Sequence, residues 1–472
     1  MTDLAARPST PDLPTGASVG AGPRAVPSPL PRVRRSRLID TDVLAALMAL
    51  TACIVGLWAA GGGISDLTAW DGAQWTSLTQ VTGLAASAVA VVGLVLVARP
   101  RSLERLYGLD RMFVWHRWLG EAVAVLVGTH VAVGFWDWTV ALDSSAAALR
   151  ELTGGTEYMA LATVGAVVVG IVTISSLTSI RRQMAYETWY FVHLLAYVGL
   201  AFAFGHEIVL GTNVSDGLGL WFWILLHAAV VGLLLVSRWG KVAVAYLTPM
   251  RVTAVERCND DTVAITLGGW RLRHLRAEPG QFFFLRPLVA GLWWQPHPYS
   301  LSAAPTAAGL RFTIKDRGDA SGAATRLRIG ARVAVEGPYG IQLPELVDGT
   351  PTLFVVGGVG IAPVRAMLER LDRRSRPVVL YRAHRQEDLV HLDELEALVA
   401  ERGGTVRALV GPTATLAIAD PFSADVLRAV VPDIAERSVV LCGPDRLLHA
   451  AGRGARAAGV PAERIHHEHG WW

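Results

Sequence analysis

The sequence predicts a multi-domain fold: a six-helix transmembrane bundle, then an antiparallel β-barrel, then an α/β domain built on a parallel sheet. Three observations lead to it. The first half of the chain contains six long apolar segments, the next part has short β-type segments separated by turn residues, and the remainder alternates strand-like and helix-like segments. We expect a disordered tail, the bundle, the barrel and the α/β domain at residues 1–38, 39–245, 246–348 and 349–472.

The apolar segments are long enough to cross a lipid bilayer, for which a helix needs about 20 residues. They lie at about 42–60, 79–98, 113–135, 157–178, 187–206 and 220–239. The composition agrees, because 52% of the residues are apolar, only 18% are charged, and many of the 16 Trp stand near predicted membrane edges. We therefore expect the lipid bilayer as a partner and expect no nucleic-acid partner.

The charges between the apolar segments predict the orientation of the bundle. One set of connections is rich in Arg and Lys, whereas the other holds eight acidic residues against the single base Arg150. The positive-inside rule then places both termini in the cytoplasm. Residues 1–36 are rich in Pro, Ala, Ser and Gly and lack an apolar run, so they predict a disordered cytoplasmic tail and not a signal peptide.

Four histidines in two apolar segments are candidate metal ligands. His116 and His130 are 14 residues apart in the third segment, and His193 and His206 are 13 apart in the fifth. An ionisable side chain in the hydrocarbon layer is costly, so each is a functional candidate. The two segments run in the same direction, which pairs His116 with His193 near the inner face and His130 with His206 near the outer face. Two b-type haems fit this pattern, and stacked haems can carry electrons across a membrane.

The two spacings differ in helical phase. At roughly 100° per residue, two residues 14 apart lie within about 40° of each other around the helix axis. Two residues 13 apart are separated by about 140°. We therefore expect the fifth helix to bend or to contain a π-bulge near Gly199 or Gly205. Hydrogen bonding to neighbouring helices is the alternative role for these histidines. It is the interpretation we give to His227, which has no partner at a matching spacing.

The chain changes character after Tyr246, where β-type segments begin. Asn259–Asp261 marks a hairpin between the first two of them, and a small antiparallel barrel is the natural closure. From residue 352 the alternation of strands and helices predicts a parallel sheet. The predicted strands are 251–256, 262–267, 281–285, 299–302, 310–315 and 332–336 in the barrel, and 352–356, 377–381, 406–409 and 438–442 in the parallel sheet.

A glycine-rich turn, Gly357–Pro363, follows the first strand of the parallel sheet. Gly358 and Gly360 allow the backbone to approach a pyrophosphate, and the N-terminus of the next helix favours its negative charge. Pro363 stands where the usual dinucleotide fingerprint has glycine, and proline suits the first turn of a helix. The sequence predicts a nucleotide-binding loop here, with a plain tight turn as the alternative.

Several motifs together resemble the ferredoxin–NADP reductase superfamily. His297-Pro298-Tyr299-Ser300-Leu301-Ser302 resembles its flavin-binding strand, and Pro279-Gly280-Gln281-Phe282 precedes that strand as in the superfamily. The other motifs follow in the expected order, at 337–340, 357–363 and 442–444. Most members have Arg at the place of His297. The His-Pro form is similar to the NADPH oxidase and ferric reductase branch, which also has six membrane helices and bis-His haem pairs at these two spacings.

The resemblance covers roughly residues 40–472 and implies FAD, NADPH (or NADH) and two b-type haems as cofactors. The implied flavin contacts are His297, Pro298, Tyr299, Ser300, Lys315, Gly318 and Ser321. The implied nicotinamide nucleotide contacts are Gly357, Gly358, Gly360, Pro363, Arg385, Gly443 and Pro444. Cys442 would lie near the nicotinamide ring. Trp471 or Trp472 would take the place of the C-terminal aromatic residue that covers the flavin in many members.

These features predict electron transfer from cytosolic NAD(P)H, through FAD and two haems, to an extracytoplasmic acceptor. The acceptor is a ferric chelate or oxygen, and the acidic outer connections favour cationic iron. The main alternative is an electron-transfer subunit that reduces a separate periplasmic or membrane partner protein. A non-catalytic membrane protein with a degenerate reductase tail is a further alternative.

The sequence also predicts NADPH in preference to NADH. Arg382 and Arg385 flank the end of the second parallel strand, where the adenosine ribose usually rests, and no acidic residue stands at that strand's end. The alternative for Arg385 is a solvated surface arginine beside Asp388. Because guanidinium binds phosphate bidentately, Arg385→Ala should raise the KM for NADPH by about tenfold or more. The KM for NADH should stay nearly unchanged in the same steady-state assay. Equal use of both nucleotides by the unaltered protein would contradict the preference.

Overall fold

The computed structural model describes residues 40–340, 348–412 and 420–469, and the predicted tail at 1–38 lies outside them. Six helices in the described part are long and apolar enough to cross a membrane, as the sequence predicts. They are α1 Asp40–Ala60, α2 Ala73–Ala98, α3 Arg101–Leu142, α4 Met159–Ser176, α5 Tyr186–Leu210 and α6 Gly217–Leu233.

Two of these helices are irregular, and neither irregularity falls where the helical phase predicts it. Gly108 (φ 75, ψ 153) breaks α3, so residues 101–107 form a separate segment before the spanning part. α6 continues through a π-helix, Leu234–Trp239, into the α-helix Gly240–Leu247. α5 is α-helical over its whole length, so the expectation of a π-bulge in it is wrong. Both of its histidines nevertheless lie beside histidines of α3, with ring centres 6.0 Å apart in each pair.

The two histidine-bearing helices are each supported by a neighbour, since α2 packs along α3 and α4 packs along α5. Gly165 of α4 and Gly199 of α5 meet backbone to backbone. A Cβ on Gly165 would lie 2.7 Å from the carbonyl oxygen of Gly199, and the converse distance is 3.1 Å. Small residues permit such approaches between membrane helices. This contact therefore holds α5 at a point between its two histidines.

Six antiparallel strands follow the membrane part. They are β1 Met250–Arg257, β2 Thr262–Gly268, β3 Phe282–Pro287, β4 His297–Ser300, β5 Leu310–Lys315 and β6 Arg332–Tyr339. Their order in the sheet is β4-β3-β6-β1-β2-β5. The two edge strands approach each other, because Leu301, directly after β4, forms an isolated bridge with Phe312 of β5. The predicted barrel is therefore a curled antiparallel sheet around an apolar core.

The last part of the chain is a parallel sheet with helices between its strands. Its strands are β7 Thr352–Gly357, β8 Val378–Ala383, β9 Thr405–Val410, β10 Ser438–Gly443 and β11 Ile465–His469, in the order β11-β10-β7-β8-β9. The intervening helices are α7 Ile361–Arg370, α8 Leu392–Ala400, α9 Ala424–Val430 and α10 Asp445–Ala457. The sequence predicts four of the five strands. It does not predict β11, because Ile-His-His-Glu-His has only one apolar residue and becomes a strand by pairing with β10.

The contact between α4 and α5 can be tested with two alanine substitutions on the same helix. Gly165→Ala should lower the stability of the bundle by about 1–3 kcal/mol, because the new methyl group would meet backbone that cannot move aside. Gly170→Ala is the matched control, since a Cβ there meets nothing within 4 Å. Thermal unfolding of the purified proteins in detergent measures the difference. Equal midpoints for the two variants would show that the close approach is unimportant.

Candidate cofactor sites

The four membrane histidines form two pairs, and the pairing is the one that the sequence predicts. The ring centres of His116 and His193 are 6.0 Å apart, and those of His130 and His206 are also 6.0 Å apart. Each pair joins α3 to α5. The two pairs therefore lie at two levels along the same two helices.

One ring nitrogen of each histidine already has a polar neighbour, and in all four it is Nδ1. A hydrogen bond at Nδ1 fixes the tautomer and the ring orientation of a ligand histidine, so that Nε2 remains for the metal. The neighbours are the carbonyl oxygens of Gly93 for His116 (3.3 Å), Thr79 for His130 (2.9 Å) and Ala203 for His206 (2.8 Å), and Oγ of Ser176 for His193 (3.4 Å).

This donor set fits a b-type haem at each pair. An imidazole nitrogen binds a metal at about 2 Å, so two rings on opposite sides of one metal ion have centres about 6 Å apart, as observed for both pairs. In the described part of the chain, no group of three or more His, Cys, Asp or Glu could hold a metal ion. Each pair would thus supply two protein ligands, which is the number that a six-coordinate haem iron takes from a protein.

Several residues that support the pairs are absent from the sequence prediction. A Cβ on Gly83 of α2 would lie 2.9 Å from Cε1 of His130, so only glycine leaves room for that ring. Trp189 stacks on His193 with ring centres 5.1 Å apart and donates from Nε1 to Ser176 Oγ (3.2 Å). The position of Trp189, four residues before His193 on one helix, is the signal that could have identified it.

The outer pair has a polar neighbour in Glu207, which follows His206 in the chain. Its Oε2 accepts hydrogen bonds from Nε1 of Trp223 (2.8 Å) and from Oγ of Ser87 (3.2 Å). His227 lies beside this group, with Nε2 3.8 Å from the same oxygen and Nδ1 donating to the carbonyl of Trp223 (2.9 Å). The interpretation of His227 as a packed, hydrogen-bonded residue is confirmed.

The curled sheet brings the motifs of the flavin-type strand together. β4 pairs with β3, so that Phe284 opposes Pro298 and Leu285 opposes His297. The 279–282 and 337–340 motifs also meet, because Phe282 opposes Tyr339. Residues 297–300 are all half-buried. Burial lowers the pKa of His297 and raises the pKa of Tyr299 to about 12, so both rings are neutral at physiological pH.

Three further residues expected near the flavin have local protein partners. Nζ of Lys315 lies 3.0 Å from Oδ1 of Asp388 and 3.2 Å from Oδ2 of Asp261. Ser321 accepts from the backbone nitrogen of Arg317 (2.7 Å) and donates to the carbonyl of Gly318 (3.2 Å). Lys315 therefore links the curled sheet to the parallel-sheet domain, and its role towards a pyrophosphate stays a prediction.

The glycine-rich turn lies at the carboxyl end of β7, against the corresponding end of β10. A Cβ on Gly360 would lie 2.6 Å from the carbonyl oxygen of Cys442, and one on Gly443 would lie 3.0 Å from the backbone nitrogen of Gly357. Gly358 has φ 52, and a Cβ there would meet nothing within 4 Å, so its backbone is open to an approaching phosphate. Pro363 lies in the first turn of α7, and Pro444 directly precedes α10.

Cys442 is the penultimate residue of β10 and has only 1% of its surface exposed. Burial, with a smaller contribution from the charge of Glu468, raises the pKa of its thiol. The thiol is therefore protonated at neutral pH and packs as a small apolar group. Trp471 and Trp472, expected over the flavin, lie outside the described residues.

The two arginines expected at the adenosine ribose already have protein partners. Arg385 is half-exposed, with Nη1 2.6 Å from Oε1 of Glu387 and Nε 3.3 Å from Oδ2 of Asp388. Arg382 donates to the carbonyl oxygens of Leu409 (3.0 Å) and Gly411 (2.5 Å). A 2′-phosphate at Arg385 would compete with these carboxylates. The contact with Asp388 is the one that the alternative interpretation of Arg385 predicts.

Comparison with known protein families assigns the three parts of the chain. Residues 82–204 match the family described as "Ferric reductase like transmembrane component", residues 247–343 match "FAD-binding domain" and residues 354–452 match "Oxidoreductase NAD-binding domain". The membrane part of the chain is a ferric reductase-like transmembrane domain. The chain carries a ferredoxin–NADP reductase-type module and is a multi-pass membrane oxidoreductase with FAD- and NAD(P)H-binding domains.

Individual relatives are similar to parts of the chain. The reductase component of propane 2-monooxygenase from Rhodococcus jostii is 27% identical over 46% of this chain and 62% of its own length. Ferredoxin–NADP reductase B of Sorangium cellulosum is 30% identical over 36% of this chain and 76% of its own length. Other curated relatives are matched over 58–66% of their length, so the chain spans about three fifths of these proteins.

A solved structure also aligns with less than half of this chain. The FAD/NAD-binding domain of nitric oxide dioxygenase from Vibrio cholerae aligns with 47% of this chain and 97% of its own, at 20% identity and a TM-score of 0.39. The assignment of the domains rests on the family matches and not on this alignment.

The contact between the two glycine motifs should be sensitive to one methyl group. Gly360→Ala should raise the KM for NADPH several-fold, because its Cβ would push the turn after β7 away from the backbone of Cys442. FAD content should be unchanged, since the flavin-type strand is in the other sheet. Steady-state kinetics and flavin absorbance of the same preparation test both statements. Loss of FAD together with nucleotide affinity would indicate general unfolding instead.

Proposed function

We propose that this protein carries electrons from cytosolic NAD(P)H, through FAD and two b-type haems, to an acceptor outside the cytoplasm. The observation that carries the proposal is the pair of facing histidines at each of two levels on α3 and α5, with ring centres 6.0 Å apart. The family matches add a flavin domain and a nucleotide domain on the same chain. The flavin divides the two electrons of a hydride into the single electrons that haem iron accepts.

The orientation with both termini and both reductase domains in the cytoplasm is part of the proposal. Basic residues mark the cytoplasmic side of a membrane protein. Arg99, at the end of α2, and Arg238, in the π-helical end of α6, both form ion pairs with Glu336 of the curled sheet. The basic connections and the flavin domain are therefore on one side of the membrane helices, and the acidic connections are on the other.

The protein side chains have distinct tasks in this scheme. His116 and His193 would hold the haem nearer the flavin domain, and His130 and His206 the second haem. Two imidazoles at one iron leave no open position for an acceptor, so the acceptor would meet the outer surface of the bundle. Neutral Tyr299 would pack against the flavin, and the open backbone of Gly358 would receive the phosphates of the nucleotide.

Cationic ferric iron is the acceptor that the outer surface favours. Asp71, Asp143, Glu157 and Asp216 are exposed on the acidic side, where they would attract a cationic acceptor. Glu207 does not contribute to this surface charge, because its carboxylate is bonded between helices. Oxygen is the second candidate acceptor, and a separate partner protein is the alternative to both.

The haem assignment predicts which variants lose which haem. Replacing His116 or His193 with Leu should remove one of two haems, and replacing His130 or His206 should remove the other, because one imidazole cannot hold a six-coordinate site. Each variant should stop NADPH-driven reduction of an acceptor trapped inside oriented vesicles. His227→Leu is the matched control and should keep both haems. Unchanged haem content and spectra in all four ligand variants would refute the proposal.

The same vesicles distinguish the acceptors. A ferric chelate and oxygen are offered separately, the second with a probe for superoxide and with superoxide dismutase as a control. Reduction of either by the purified chain supports a complete enzyme. If the haems are reduced by NADPH but no soluble acceptor reoxidises them, the chain serves a partner protein.

A further inference from the structure

Three guanidinium groups converge on one carboxylate where the membrane helices meet the curled sheet. Glu336 of β6 is 1% exposed. Its oxygens lie 2.8 Å from Nη2 of Arg286 in β3, 3.1 Å from Nη1 of Arg238 and 3.8 Å from Nη1 of Arg99. Tyr339 donates a hydrogen bond to the same carboxylate at 2.6 Å. We call these four charged residues the junction cluster.

Positive charge exceeds negative charge in the junction cluster and around it. Burial by itself would raise the pKa of Glu336, but the three arginines together outweigh it and hold the pKa at about 2, so this carboxylate is ionised. The nearby ammonium of Lys241 donates to the carbonyl of Arg99 (3.1 Å) and adds a further positive charge. Burial raises the pKa of the neighbouring Glu104 to about 7, so it balances the cluster only in part. Buried charge without a counter-ion is costly.

Two of the arginines have buried nitrogens that make no hydrogen bond in the described part of the chain. They are Nε and Nη1 of Arg99 and Nη1 of Arg286. Arg99 is 8% exposed and Arg286 3% exposed, so both guanidinium groups are shielded from bulk water. Arg99 lies among three rings, with its guanidinium carbon 5.0 Å from Phe113, 5.0 Å from Phe284 and 5.8 Å from Tyr339. Cation–π contacts stabilise the charge but leave in-plane N–H donors unused.

The position of Arg99 connects it to both candidate cofactor sites. Phe113 precedes His116 by three residues, which is about one turn of α3. Phe284 opposes Pro298 in the ladder between β3 and β4, next to His297. Arg99 therefore lies between the inner histidine pair and the flavin-type strand.

We propose that Arg99 and Arg286 bind an anionic group, a carboxylate or a phosphate, that belongs to a cofactor held at this junction. The planar guanidinium group has the geometry to bind a carboxylate or a phosphate through two hydrogen bonds, and the unused buried N–H donors would stabilise the bound anion. The anion also supplies the negative charge that the junction cluster lacks. The inference rests on the proposed function, because that function places a haem and FAD on either side of Arg99.

Two matched pairs of ligands identify the source of the anion. Haem is compared with haem dimethyl ester, which has no free carboxylate, and FAD is compared with riboflavin, which has no phosphate. Binding of each is measured by absorbance and fluorescence to the full chain in nanodiscs, for the unaltered protein and for Arg99→Gln. We expect Arg99→Gln to lower the affinity for either haem or FAD by about tenfold or more. The affinity for the uncharged analogue in the same pair should stay unchanged.

The controls separate anion binding from folding. Arg105→Gln removes an exposed arginine six residues further along the chain, at the start of α3, and should change none of the four affinities. If Arg99→Gln fails to fold, Arg99→Lys is measured in its place. Lysine keeps the charge without the planar fork, so this variant should show the same selective loss of affinity to a smaller degree. Equal weakening of charged and uncharged ligands, or no weakening of any, would overturn the inference. Failure of the proposed function would appear separately, as absence of NADPH-driven haem reduction in the unaltered protein.

Discussion

An imidazole inside a membrane needs a partner for each of its ring nitrogens, and this requirement organises the membrane half of the protein. Water is not available there, so an unsatisfied polar atom costs several kcal/mol, on the order of a lost hydrogen bond or more. In each of the four histidines Nδ1 has a polar neighbour within the protein, which leaves Nε2 for a metal. The helices that carry no candidate ligand histidine therefore contribute hydrogen-bond partners to the two sites. α2 supplies the carbonyl groups of Thr79 and Gly93, and α4 supplies Ser176.

The same requirement explains where the bundle uses small residues. Gly83 leaves space for the ring of His130, and Gly165 and Gly199 let α4 approach α5 between the two levels. A larger residue at Gly83 would meet the ring of His130, and one at Gly165 or Gly199 would meet the backbone of the facing helix. The spacing of the histidines thus sets the depth of each histidine pair in the membrane, and glycines on the neighbouring helices set how closely the helices pack around the pairs.

Charge, in contrast, organises the junction between the membrane helices and the reductase part. Apolar contacts from Leu109 and Met112 of α3 to Tyr339 of β6 bring the two parts together, and the break at Gly108 lies beside these residues. The ion pairs of Glu336 then fix the curled sheet relative to the ends of α2 and α6. A second set of ion pairs, from Lys315 and Arg311 to Asp388 and Glu394, connects the curled sheet to the nucleotide domain. Electrostatic contacts therefore lie at both domain boundaries.

The sequence by itself determined the six spanning helices, both sheets and the pairing of the four histidines. Each depends on patterns local to one segment: apolar length, residue spacing and the direction of the chain. Tertiary structure decided the uninterrupted α-helix of α5, the strand β11 and the contact of Lys315 with Asp388, because each depends on neighbours far away in the sequence. The junction cluster is the clearest case. Arg99, Arg238, Arg286 and Glu336 are ordinary charged residues in sequence, and only folding brings them into one buried place where their charges do not balance.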